Sequence, residues 1–118
     1  MLPLCEIALL GPNGRMPVRV LVDSGAVLSV FPRRAADDAG IRLPSSPNHQ
    51  TLFGGSSTPG WCHPVDVELQ GHRWRMDIVF VEHIAYPYAL LGRRGVFARF
   101  KEVAFIEKSP TPRVEFRW

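Results

Sequence analysis

Cysteine is scarce in this chain. Only Cys5 and Cys62 occur among 118 residues. They make no Cys-x-x-Cys and no zinc-type spacing, so neither a disulfide framework nor a thiolate metal site is expected. Two buried free thiols in a reducing compartment is the expectation. The four histidines (His49, His63, His72, His83) show no paired ligand spacing on one element, which argues against a metal. Long apolar runs are missing too. None approaches the roughly 20 residues of a membrane span, and residues 1–10 lack a basic flank and contain Glu6, so no secretory signal is expected. The expected location is cytoplasmic, away from membranes. The formal charge is +3, yet basic residues cluster only as the pairs Arg33-Arg34 and Arg93-Arg94, which disfavours a nucleic-acid partner. No P-loop, dinucleotide fingerprint or Gly-x-Ser-x-Gly occurs, nor any internal repeat. No cofactor is expected.

What is present is turn chemistry. Eleven prolines and ten glycines are spread along the chain, which suits many short strands better than long helices. The length and 46% hydrophobic content predict one all-β domain over residues 1–118. Residues 4–10 and 15–22 read as a hairpin around Gly11-Pro12-Asn13-Gly14. Residues 32–39 read as a short helix, opened by Pro32 and stopped by Gly40. Residues 41–48 are a Pro/Ser-rich connection. Residues 51–61 carry Gly54, Gly55, Ser56 and Gly60 between apolar ends, a hairpin whose tip spans 54–60 and has little side-chain packing to hold it. Val65, Val67 and Leu69, then Trp74, Met76, Ile78 and Phe80, alternate with polar residues as two half-buried strands. Asp66 and Asp77 fall on the surface face. Residues 83–87 form a loop and 89–91 a strand. Residues 94–100 form one or two helical turns, with Val96, Phe97 and Phe100 inward. Residues 103–106 and 114–118 are final strands.

The chain is organised around residues 20–31, an apolar run broken once by Asp23-Ser24-Gly25. Asp-Ser-Gly is a common turn sequence. The flanks distinguish this instance: residues 20–22 and 26–28 are apolar at every position, so both faces read as buried and a second strand is expected directly after the loop. A carboxylate in such a place must be hydrogen-bonded, paired or functional, and Gly25 lets a backbone N–H approach it without a Cβ in the way.

Residues 20–26 resemble the active-site loop of aspartic proteases, and Tyr88-Ala89-Leu90-Leu91-Gly92-Arg93 resembles the apolar-apolar-Gly-Arg segment late in retropepsin domains. With the glycine-rich hairpin between them, the resemblance spans nearly the whole chain, and it is closer to the bacterial retropepsin-like branch than to viral enzymes. It implies a single-lobe acid-protease barrel with one or two short helices, acting as a homodimer. It implies that Asp23 is catalytic, that Ser24 hydroxyls cross-bond the two loops, and that Gly25 N–H donates to the carboxylate, with Ala26 completing the loop. Phe53, Gly54, Gly55 and Ser56 would form the flap over bound peptide. Leu91, Gly92 and Arg93 would support the site, Gly92 leaving room for a chain crossing. Two departures stand out. Val27 and Leu28 occupy the vicinity where retroviral enzymes carry the Asp that pairs with the Gly-Arg arginine, leaving the partner of Arg93 open. Arg94-Gly95 replaces the Asp-Phe that often follows Gly-Arg in bacterial relatives.

Aspartic-protease chemistry needs two facing carboxylates that share a proton. One Asp-Ser-Gly per chain therefore calls for a second copy on a two-fold axis. The expected function is a homodimeric aspartic endopeptidase acting on extended or unfolded polypeptide. The alternative is a catalytically inactive dimeric module of the same fold that binds peptides or partner proteins. Retention of Asp23, Ser24 and Gly25 favours the first. A Cys62–His63 dyad is disfavoured, because strand neighbours point to opposite faces.

Overall fold

Strands β1 (Leu4–Gly11) and β2 (Gly14–Val22) form an antiparallel hairpin, with Gly11 opposite Gly14 and Leu4 opposite Leu21. In this computed structural model, residues 2–53, 55–84, 87–107 and 112–118 are described, and the Phe53 side chain is not. The expectations for Gly54 and for the segments around 85–86 and 108–111 lie outside that set. After β2 come β3 (Val30–Pro32), helix α1 (Arg33–Ala39), β4 (His49–Phe53), β5 (Ser56–Leu69), β6 (His72–Val81) and β7 (Ala89–Leu91). A 3-10 turn over Phe97–Arg99 then leads to β8 (Glu102–Ile106) and β9 (Arg113–Arg117), which pair as a separate ribbon.

The sheet order is β1-β2-β7-β3-β6-β5-β4. β1 also pairs with β5 through Ala8–Glu68, Leu9–Val67 and Leu10–Asp66, closing six strands into a barrel and leaving β4 outside as a flange on β5. The interior follows from the alternation along β5 and β6. Val65, Val67 and Leu69 face Trp74, Met76, Ile78 and Phe80 inside, while Arg73, Arg75 and Asp77 stay exposed. Phe31 meets Phe80 edge-to-face at 6.2 Å. The indole N–H groups of Trp61 and Trp74 donate to the carbonyls of Pro44 (2.9 Å) and Gly95 (2.8 Å), so both rings are buried without an orphaned donor. On the rim Glu68 accepts from Arg15 (2.9 Å) and Arg73 (2.7 Å), and these bonds hold its carboxyl below the usual carboxylate range. Exposed ion pairs contribute about 0–1 kcal/mol, against about 1.5–3 kcal/mol for each large apolar side chain buried. The interior, not the rim, holds the barrel.

Several boundaries differ from the sequence reading. β5 starts at Ser56, so 56–60, expected in the hairpin tip, belong to a strand: Phe53 pairs with Ser56 and Thr51 with Thr58. No second strand follows the Asp loop at once, since β3 begins only at Val30. Between them Val27 is 61% exposed, so its apolar run is not a buried strand. Residues 94–100 tighten into the single 3-10 turn, with Val96 and Phe100 buried as the apolar spacing requires. Cys5 and Cys62 are free, but half-buried instead of buried. No helix among the described residues is long and apolar enough to cross a membrane.

Candidate functional site

β2 delivers Asp23 to the end of the barrel. Its backbone N–H donates to Leu91 O (2.9 Å), and its carbonyl accepts from Ala26 N–H (3.2 Å), closing the turn. Its carboxylate Oδ1 accepts from Gly25 N–H at 2.9 Å. An added Cβ at Gly25 would lie 3.2 Å from that same oxygen, so a larger residue would crowd the bond. Asp23 is half-buried, while Ser24 and Gly25 are exposed. The carboxylate is thus fixed in direction and open to solvent on one side.

What fixes the loop is a strand from far along the chain. β7 runs parallel to β2, with Val20 opposite Ala89 and Val22 opposite Leu91, and antiparallel to β3 through Val30–Leu90. It therefore lies between the two arms of the Asp loop. Beyond it, Gly92 N–H donates to the Ser29 hydroxyl (3.0 Å), Arg93 N–H to Ala26 O (2.9 Å) and Arg94 N–H to Val27 O (2.8 Å). A Cβ on Gly92 would come within 2.3 Å of Leu28 O. Only glycine permits this crossing. Three such bonds, each worth about 0.5–1.5 kcal/mol, tie residues 26–29 to 92–94.

Above the loop lies a groove of about 500 Å³, lined by Gly25, Ala26, Val27 and Leu28, by Val30 and Leu90, and by β4 residues His49, Gln50, Thr51 and Leu52. Leu52 is 80% exposed on the hairpin side. Val30, Val79, Val81 and Leu90 form a second apolar cluster outside the barrel interior, packed by Leu21, Leu28, Cys62 and Ile84. The groove floor is thus backed by packed side chains, while β4 beside it pairs, among the described residues, with β5 alone.

Asp23, Gly25, Ala26, Leu91, Gly92 and Arg93 are brought together here. Ser24 is exposed beside them. Ser56 sits at the hairpin's end, paired with Phe53, and Gly55 holds φ +83° in the tip. Arg93 acts through its backbone, and its exposed guanidinium forms no ion pair among the described residues. Ser29 is the residue the sequence reading missed. It is 1% exposed and, with Thr51, one of two buried polar residues among the described residues. Its signal was a hydroxyl inside an otherwise apolar stretch. Both thiols stand apart from this chemistry. Burial pushes the Cys5 thiol up to about 12, with the Glu6 charge adding to it. Burial also raises Cys62, assisted by Asp77 and opposed by Arg94. Among the described residues no three His, Cys, Asp or Glu side chains gather as metal ligands.

Comparison with known proteins agrees with this geometry. A family model described as aspartyl protease matches residues 8–94. No curated protein matches the chain. Among solved structures, the chain resembles the EIAV protease complexed with the inhibitor HBY-793, at 20% identity over 79% of this chain and 83% of that one, with a TM-score of 0.62. It also resembles the retroviral protease-like domain of Ddi1 from Leishmania major, at 16% identity over 98% and 94% of the two chains, with a TM-score of 0.62. A retropepsin-like aspartic protease from Rickettsia conorii is similar at 16% identity over 91% and 89%, with a TM-score of 0.61. The shared feature is the retropepsin-like barrel.

Proposed function

The chain belongs to the aspartyl protease family, and from that premise we propose that it is a homodimeric aspartic endopeptidase acting on extended polypeptide. The observation that carries this reading is the Asp23 carboxylate. It accepts from Gly25 N–H (2.9 Å) in a loop that the 92–94 crossing ties down, and the next loop residues, Gly25 and Ala26, line the groove.

One Asp-Ser-Gly per chain supplies half of a dyad. In the dimer, Asp23 and the partner's Asp23 share one proton, because two adjacent carboxylates cannot both ionise cheaply. The ionised one takes a proton from water, whose oxygen attacks the scissile carbonyl carbon. The protonated one gives its proton to the carbonyl oxygen, forming a neutral gem-diol. Collapse returns one hydroxyl proton to a carboxylate, the C–N bond breaks, and the amine nitrogen leaves with a proton from the dyad. Ser24 bonds across to the partner's loop. The 54–55 tip, with Phe53 and Ser56 at its base, closes over the peptide as a flap.

The test is cleavage of denatured casein across a pH series by wild type and Asp23→Asn. Wild-type cleavage should be greatest on the acid side of neutrality and fall as the shared proton is lost, and the variant should be silent. Cleavage surviving in Asp23→Asn, or undiminished at pH 9, would overturn the reading. A binding-only module of this fold would retain peptides without cutting them at any pH.

A further inference from the structure

The groove does not end at the apolar wall. Leu28 and His49, which line it, also line a neighbouring pocket of about 350 Å³ whose other walls are Cys62, Met76, Asp77, Arg94 and Arg75. The two spaces share these two walls but differ in chemistry: the first carries no charged wall beyond His49, whereas the second carries two arginines and an aspartate. Arg75 is already paired with Asp66 at 3.0 Å. Arg94 and Asp77 form no ion pair with each other or with another side chain among the described residues. Both nonetheless lie close enough to Cys62 to act on its thiol in opposite senses. Arg94 is also tied to the Asp loop, since its N–H is bonded to Val27 O at 2.8 Å.

Two opposite charges held apart across one small pocket define an occupant. A carboxylate is drawn by Arg94 and repelled by Asp77, and an ammonium meets the reverse. An aliphatic side chain covers both charges and satisfies neither. A carboxamide accepts from the guanidinium with its oxygen and donates to the carboxylate with its NH2. Resting on the peptidase reading above, we infer that this pocket is a specificity subsite for a glutamine or asparagine side chain of the bound peptide, one to a few residues from the bond over Asp23. Extended peptide advances about 3.3 Å per residue, and the shared walls Leu28 and His49 put this pocket next to the groove.

The probe is a synthetic apolar decapeptide in which each position is replaced in turn by Gln, Glu, Lys or Leu. Binding to Asp23→Asn is read by fluorescence anisotropy, and cleavage by wild type is mapped by mass spectrometry. At one position Gln should exceed Leu roughly tenfold, as a hydrogen bond to a charged group predicts, with Glu and Lys both below Gln. Asp77→Asn should move that preference toward Glu, and Arg94→Met toward Lys. Both side chains are exposed, so neither change disturbs the core. Leu equal to Gln at every position, a preference indifferent to both substitutions, or no peptide bound at all overturns the subsite. Cleavage without any Gln preference sinks the subsite and leaves the peptidase. Gln-selective binding without wild-type cleavage does the opposite.

Discussion

Ser29 shows how a residue without a chemical role governs the one that has it. Its hydroxyl accepts from Gly92 N–H at 3.0 Å in a buried setting, and its own carbonyl accepts from Val79 N–H at 3.0 Å. Ser29→Ala leaves the Gly92 donor without a partner, which costs about 1–3 kcal/mol. The expected result is a lower urea midpoint with an unchanged m-value, and proteolytic activity reduced further than the stability loss alone explains, because the loop that holds Asp23 loosens. An unchanged midpoint would mean that Gly92 N–H finds another acceptor. Arg93 makes the complementary point. The sequence singled out its charge, whereas its backbone N–H, bonded to Ala26 O, is the part tied to the loop.

At the level of elements, β4 is the groove-lining strand that, among the described residues, is held from one side. Among the described residues β4 pairs with β5 and with no other strand, and its Leu52 is exposed. Gly55 in its tip sits at φ +83° with no atom within 4 Å of where a Cβ would be. A side chain there meets no clash, only the left-handed strain of about 1–2 kcal/mol. Gly55→Val should therefore leave the thermal midpoint nearly unmoved, because the tip frays independently of the barrel. It should lower kcat/KM by roughly tenfold, the equivalent of that strain carried into closure. Equal loss of stability and turnover, or no loss of turnover, would remove the flap role from this hairpin.

For the whole molecule, the arithmetic of one Asp23 per chain dominates. The half-site makes specific activity a function of association, so it should fall on dilution along the dimer dissociation curve. Mixing wild type with a roughly ninefold excess of Asp23→Asn, under verified subunit exchange, should leave about one tenth of the wild-type chains opposite an intact partner, and activity should fall to match. Full activity from a demonstrated monomer, or no loss after exchange, would refute the shared site.

Local chemistry alone set much of this. Alternating apolar residues and Gly/Pro punctuation marked β1, β2, β6 and the C-terminal half of β5, because side-chain period and turn preference act over a few residues. The position of Asp23 at the end of an apolar strand was legible for the same reason, as was the glycine-stopped helix α1. The apolar character of residues 26–28 was legible but misleading. It marked a groove wall with Val27 exposed, where a buried strand was expected. The crossing at Gly92 was expected only through the family resemblance, and the seat of Ser29 against Gly92 and the placing of Arg94 and Asp77 around one pocket came only from the tertiary structure. These contacts join residues far apart in the chain, 63 positions in the case of Ser29 and Gly92. No periodicity encodes them, because what brings those residues together is the closure of the barrel and not any preference of the residues themselves.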